Sequence, residues 1–272
     1  MNPRALLEQY GIQPARALGQ NFLHDPGALR KIVAAAEPGP EETVLEVGAG
    51  TGTLTRALLA AGATVLAVET DGRLLPLLRA ELPTGAQLRL LHADVLALDL
   101  DALLAPDPWV CVANLPYYIT GAILRHLLEC SHRPRRLVLT VQREVAERVL
   151  ARPGAMSLLA VSVQFYGRPR IVGRLKPAVF WPRPEVDSAI LRIDLPATPE
   201  LDVPDEATFF RVARAGFSQK RKQLRNALGN GLGIHAGAAA ELLATAGIDP
   251  QRRAQTLSLQ EWAALARACA GS

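Results

Sequence analysis

Thr43-Val44-Leu45-Glu46-Val47-Gly48-Ala49-Gly50-Thr51-Gly52-Thr53-Leu54 is the stretch that decides the fold. Thr43–Val47 is a short apolar run of strand length, and a helical pattern, Leu54–Ala61, follows it. Between the two, Gly48, Gly50 and Gly52 let the backbone pass close to a ligand, and the start of the helix offers unpaired N–H groups. Strand, glycine-rich turn and helix together open a βαβ unit. The spacing is G-x-G-x-G, not the G-x-G-x-x-G of dinucleotide binders. A nucleoside cofactor without a pyrophosphate, such as S-adenosyl-L-methionine, suits this turn better than NAD.

The alternation continues outward. Thr64–Glu69, Leu88–His92, Trp109–Ala113 and Leu137–Val141 are further runs of strand length, separated by helical patterns at Gly72–Leu82, Gly121–Leu128 and Glu144–Leu150. That pattern predicts a parallel sheet covered on both faces. Leu158–Phe165 and Ser188–Leu195 read as two more strands, forming an antiparallel hairpin at the sheet edge. Their connection holds Pro177, Pro182 and Pro184, which predicts an irregular loop. The expected fold is α/β: a Rossmann-like seven-stranded sheet with an antiparallel end, the layout of a class I methyltransferase.

Pro196, Pro199 and Pro204 make a stiff linker. It predicts a sheet domain over 1–200 and a small all-helical domain over 201–272. In the latter, Phe210, Ala213, Phe217, Leu224 and Leu228 fall on one face of a helix, and Arg211, Arg214, Arg221 and Arg225 on the adjacent face. Asp249-Pro250 and Ser258 mark later helix starts.

Composition narrows the class. Hydrophobic residues make up 49% and charged residues 21%, as in ordinary globular proteins. The net charge is +4, and residues 205–272 hold nine of the 30 Lys+Arg but only five of the 26 Asp+Glu. The excess therefore sits entirely in the last quarter, which points to a polyanionic partner. No apolar run has the length of a membrane span, and the N-terminal segment has no signal-peptide apolar region. Cys111, Cys130 and Cys269 are odd in number and widely spaced, which argues against disulfides and a zinc site and fits a reducing cytoplasm. No metal is expected.

Two constellations carry the chemistry. Glu69 ends the strand after the glycine turn, where an acid conventionally grips ribose hydroxyls, and Asp94 ends the next, where it can accept from an adenine N6. Ligands of open parallel sheets bind at these carboxyl ends of strands. Asn114-Leu115-Pro116-Tyr117 closes the fourth strand. The lone pair of an adenine N6 is delocalised into its ring. Two acceptors, the Asn114 amide oxygen and the Leu115 carbonyl, can hold the N6 hydrogens and raise lone-pair density. Pro116 fixes the loop and Tyr117 can stack on the base. Phe180, held between prolines, is expected to cover the opposite face of an extruded base. Trp181 is expected to pack. The chemistry implied is methyl transfer to a base nitrogen.

These motifs resemble the bacterial small-subunit rRNA adenine N6-dimethyltransferase family over nearly the whole chain. Gly19–Leu23, Val44–Thr55, Asn114–Tyr117, Val179–Ala189 and Lys220–Asn226 match five family motifs in order. Ala49 stands where the family usually has proline. The resemblance implies cofactor contacts from Asn21, Leu23, Gly48, Glu69, Asp94 and Asn114, and the glycine turn itself adds Gly50. It also implies that the basic C-terminal domain, with Arg211, Arg214, Arg221, Lys222 and Arg225, helps seat the small ribosomal subunit and its rRNA. A cytoplasmic monomer that dimethylates two adjacent adenines near the rRNA 3′ end is expected. The alternatives are the related large-subunit rRNA methyltransferase, disfavoured by the Lys220–Asn226 match, and a non-catalytic subunit-assembly factor.

Overall fold

The computed structural model describes residues 2–39, 41–198 and 200–271. Pro199, one of the three linker prolines, lies outside the described residues. The chain divides into two compact units, Met1–Ala146 with Arg168–Ala197, and Glu147–Gly167 with Thr198–Ser272.

The first unit is built on a seven-stranded sheet. Along the chain come α1 (Pro3–Gln9), β1 (Phe22–Leu23), α2 (Pro26–Ala36), β2 (Thr43–Val47), α3 (Thr53–Ala60), β3 (Thr64–Glu69), α4 (Leu75–Glu81) and β4 (Leu88–His92). Then follow α5 (Leu100–Leu104), β5 (Trp109–Asn114), α6 (Thr120–Glu129), β6 (Arg136–Gln142) and α7 (Arg143–Val149). After the excursion into the second unit come β7 (Arg168–Leu175), β8 (Phe180–Trp181) and β9 (Ser188–Asp194). The sheet order is β4-β3-β2-β5-β6-β9-β7, with β9 antiparallel to both neighbours and the other pairings parallel. Strands β2 and β5 lie at the centre and are buried on both faces, as their unbroken apolar runs require.

Register positions the site. Val47 is level with Val68 on one side and with Ala113 on the other. One residue further on, Gly48, Glu69 and Asn114 therefore stand in a row at the carboxyl ends of β2, β3 and β5.

The opposite end of these strands carries a buried charge network. Arg136 and Arg192 are each 7% exposed. Arg192 donates to the Ala35 carbonyl (2.9 Å) and Arg136 to the Ala36 carbonyl (3.0 Å), satisfying acceptors left open at the end of α2. Both guanidinium groups also reach the Glu37 carboxylate and share Asp194. This network ties α2 to β6 and β9.

Two expectations of local structure are corrected. Leu158–Phe165 is not a strand but part of helix α8 (Leu158–Tyr166), started by Ser157, whose Oγ accepts from the Ala160 N–H at 3.2 Å. Val161-Ser162-Val163-Gln164-Phe165 alternates apolar and polar residues as a strand does, and so short a run does not separate that period from a helical one. The edge strand beside β9 is instead β7, Arg-Pro-Arg-Ile-Val-Gly-Arg-Leu, with an irregularity between Ile171 and Gly173. Its proline, glycine and charges suit an edge and conceal a strand from pattern reading.

The second unit contains α8, α9 (Glu206–Phe217), α10 (Leu224–Leu232), α11 (Ala236–Thr245) and α12 (Leu259–Ala270). The single helix expected through Leu228 is interrupted at 218–223, between α9 and α10. The two then pack backbone to backbone, since a Cβ on Gly231 would lie 2.5 Å from the Ala215 Cα. The break puts Arg221 and Lys222 in a turn and leaves Arg211, Arg214 and Arg225 on helices. No helix of the described residues is long and apolar enough to cross a membrane.

Candidate active site at the strand ends

A cleft of about 580 Å³ opens over the row formed by Gly48, Glu69 and Asn114. Gly50, Leu115, Pro116 and Tyr117 also line it, and the segment Leu18–Phe22 forms its other wall.

The glycine turn is shaped by what crosses it. Gly50 has φ +58°, and a Cβ there would lie 3.1 Å from the Phe22 ring. Glycine is required on both counts, backbone hand and close approach. Glu69 holds the same turn from the other side. Its Oε2 accepts from the Gly50 N–H at 2.7 Å and its Oε1 from the Asp71 N–H at 2.8 Å. Burial raises the Glu69 carboxyl above the ordinary carboxylate range. Each of its oxygens has a second lone pair, so the carboxylate can still accept from a ligand diol.

A polar clip holds the Leu18–Phe22 wall. Gln20 Nε2 donates to Asp71 Oδ2 at 2.8 Å, and Gln20 Oε1 accepts from the Ala15 N–H at 2.8 Å. Arg73 grips the same carboxylate through Nε (2.9 Å) and Nη2 (2.6 Å), holding Asp71 down to about 2.

At the end of β5, the Asn114 Nδ2 donates to the Asn21 carbonyl at 2.8 Å. This contact fixes the amide and leaves Oδ1 as its acceptor. The Leu115 N–H donates to Thr140 O at 3.1 Å, while among the described residues none donates to the Leu115 carbonyl. The Pro116 carbonyl, by contrast, is occupied by the Ile119 N–H and the Thr120 hydroxyl. The Tyr117 hydroxyl is anchored to the Ser188 Oγ at 2.6 Å, and burial raises its pKa, so the phenol is neutral. Asn114 through Tyr117 thus present one amide oxygen, one open carbonyl and one braced ring.

Three expected site residues stand elsewhere. Phe180 is 2% exposed and belongs to the core, because β8 pairs with β1 and turns the ring inward. It has no free face for a base in this structure, which corrects the stacking expected of it. Leu23, 4% exposed, packs in the same core opposite Phe180, while its neighbour Phe22 lines the cleft. Asp94 is exposed just beyond β4, outside the cleft lining, and its Oδ1 caps a short turn by accepting from the Leu96 N–H at 3.0 Å. Sequence reasoning missed Phe22, Gln20 and Asp71. The first two lie inside the Gly19–Leu23 motif. Asp71 follows Glu69 by two residues, but its contact with Gln20 is long-range and invisible to spacing.

Burial shifts one further acid. Glu46, on β2, is 0% exposed, and neither carboxyl oxygen has a hydrogen-bond partner among the described residues. Burial pushes it up to about 8.

Known proteins share this architecture. The chain is similar to the ribosomal RNA small subunit methyltransferase A of Dehalococcoides mccartyi (strain CBDB1), 45% identical over 99% of this chain and 93% of the relative. It is similar at 45% identity to the protein of the same name from Moorella thermoacetica, over 97% of this chain and 95% of that one. Among solved structures, a dimethyladenosine transferase from Plasmodium falciparum superposes with a TM-score of 0.74, 24% identical over 90% of this chain and 95% of that chain. The 23S rRNA methyltransferase ErmE superposes with a TM-score of 0.70, 27% identical over 91% and 99%. Residues 13–270 match the family model for ribosomal RNA adenine dimethylase. With the class I sheet and the strand-end cleft, this makes the chain a methyltransferase that belongs to the ribosomal RNA adenine dimethylase family.

Proposed function

We propose that this chain dimethylates N6 of two adjacent adenines near the 3′ end of small-subunit rRNA, using S-adenosyl-L-methionine. The observation that carries the reading is the Asn114 amide. Its N–H is spent on Asn21, so its oxygen faces the role of acceptor beside the open Leu115 carbonyl.

The cleft suits this cofactor on its own chemistry. Among the described residues no Lys or Arg lines it, and Glu69 does. That lining disfavours a pyrophosphate and favours a cationic sulfonium. Gly48 has φ +81°, a backbone that side chains rarely adopt, so no Cβ enters the strip between the strand ends. When bound, S-adenosyl-L-methionine supplies an electrophilic methyl group. Glu69 accepts from the ribose hydroxyls and the Gly48–Gly50 turn lets the backbone approach. Asn21, with the backbone at Leu23, borders the cofactor, and Asp94 accepts from its adenine through the carboxylate oxygen not used in capping.

Asn114 Oδ1 and the Leu115 carbonyl accept the two N6 hydrogens of the target. After one transfer a single N6 hydrogen remains, and either acceptor still orients the amine for the second. The Tyr117 ring gives the base a wall, with stacking of roughly 1–3 kcal/mol by analogy with single-strand binders. No strong base is needed, because the product ammonium releases its proton to water. Arg211, Arg214, Arg221, Lys222 and Arg225, all exposed, form the phosphate-binding face that seats the ribosomal particle in the cytoplasm. The small-subunit assignment follows the relatives at 45% identity over the 27% match to the 23S enzyme.

Methylation of undermodified small subunits with a radiolabelled methyl donor, followed by nucleotide mapping, tests the reading. Two adjacent N6,N6-dimethyladenines are expected. Label confined to large-subunit rRNA, or to another position on the base, would refute it.

A further inference from the structure

The unit formed by Glu147–Gly167 and Thr198–Ser272 has a cleft of its own, about 1190 Å³, that methyl transfer does not use. Its apolar side is Leu158 and Leu159 at the start of α8 and Phe217 at the end of α9. Arg148, Arg214 and Lys220 also line it, and no Asp or Glu does.

Two features separate this cleft from an ordinary surface groove. The first is uncompensated charge. Arg148, Arg214 and Lys220 are exposed, no ion pair to any of them is found among the described residues, and they gather on one hollow that no carboxylate lines; the Arg214 guanidinium also lies over the Phe210 ring, 6.0 Å from its centroid. Three like charges around one apolar hollow repel one another until an anion neutralises them. The second is a braced aromatic ring. Phe217 lies with its centroid 5.3 Å from that of Trp262, the planes 30° apart, and Trp262 is 1% exposed. Phe217 itself is only half-buried and borders the cleft, so it offers the hollow a π surface held from behind. A flat apolar ring flanked by negative charges satisfies both features, and a nucleotide in a single strand is such a group.

We propose that this cleft takes one unstacked nucleotide of a single-stranded RNA segment, its base on Phe217 and the flanking phosphates on Arg148, Arg214 and Lys220. The proposal rests on the reading that the partner is RNA, and concerns a site separate from the adenine that is methylated. An acidic peptide would meet the cations equally well but would gain nothing from the ring, which is why RNA is the occupant chosen.

Fluorescence anisotropy with a fluorescein-labelled heptauridylate and with a seven-base-pair RNA duplex tests it on the full chain. Phe217→Leu keeps the apolar volume and removes the ring. It is expected to weaken heptauridylate about tenfold and leave the duplex unchanged. Arg148→Ala, at an exposed side chain, keeps the fold and is expected to lower the salt slope of heptauridylate binding by about 0.7. Unchanged heptauridylate binding in Phe217→Leu, or its displacement by an equally charged oligoglutamate as readily as by unlabelled RNA, overturns the proposal. Adenine methylation by the same preparations is read separately. Its absence in the wild type would sink the functional reading, while the oligonucleotide result would still decide the cleft.

Discussion

Gly50 and Glu46 show how much of the site is decided by single residues. Gly50→Ala must place a Cβ against the Phe22 ring at a φ of +58°. The left-handed backbone alone costs about 1–2 kcal/mol for a residue with a Cβ. We expect a lowered Tm and at least a tenfold weaker cofactor affinity, read by thermal unfolding and titration calorimetry. Phe22→Leu should recover only the part due to the clash. Glu46 acts through pH. Its folded pKa of about 8 lies above the unconstrained value of 4.5, so the folded chain holds a proton that the unfolded chain releases. Stability from this group is full below pH 4.5 and is lost as pH rises toward about 8. Glu46→Gln removes the dependence, so its stability relative to wild type should grow between pH 5 and pH 8, by on the order of a few kcal/mol. Parallel urea-unfolding profiles at the two pH values would contradict this. Glycine spacing, Glu69 and the Asn114–Tyr117 run were legible in the sequence because each follows a strand end. Gln20 and Asp71 were not, because their pairing spans 51 positions and leaves no local pattern.

Among the elements, the parallel strands and the antiparallel strand β9 were readable, and the edge strand β7 was not. β2, β3, β5 and β6 are buried apolar runs followed by helices, and pattern reading depends on that contrast. β7 has proline and glycine inside it and reads as a loop, while Val161 to Phe165 of α8 alternate as a strand does. The break between α9 and α10 was hidden because apolar spacing runs through it, while the close approach at Gly231 is a tertiary fact. Where α2 docks, Asp194 supplies counter-charge to two guanidinium groups that are 7% exposed. Asp194→Ala should destabilise the fold by about 1–3 kcal/mol, because it leaves Glu37 alone to compensate both guanidinium groups. The network lies at the far end of the strands from Gly48, so cofactor affinity should be unchanged in the same variant. A stable fold with impaired cofactor binding would contradict the placement.

At the scale of the whole molecule, charge asymmetry predicted a neutral sheet body and a basic helical part. The prolines placed a boundary close to the change of unit at Ala197–Thr198. The earlier passage at Ala146–Glu147 left no trace in composition, because α7 runs through it without interruption. If the basic face binds phosphates, removing Arg221, Lys222 or Arg225 should each weaken particle binding and reduce its salt slope by about one. A slope that stays constant through all three would place RNA contact elsewhere. The account as a whole turns on an amide held by Asn21 at the end of β5. Its most direct test is single-turnover methyl transfer to undermodified small subunits by Asn114→Ala, at saturating methyl donor and with the fold verified by thermal unfolding. The predicted result is a near-complete loss of N6 methylation in a folded protein. A rate equal to that of the wild type would contradict the account.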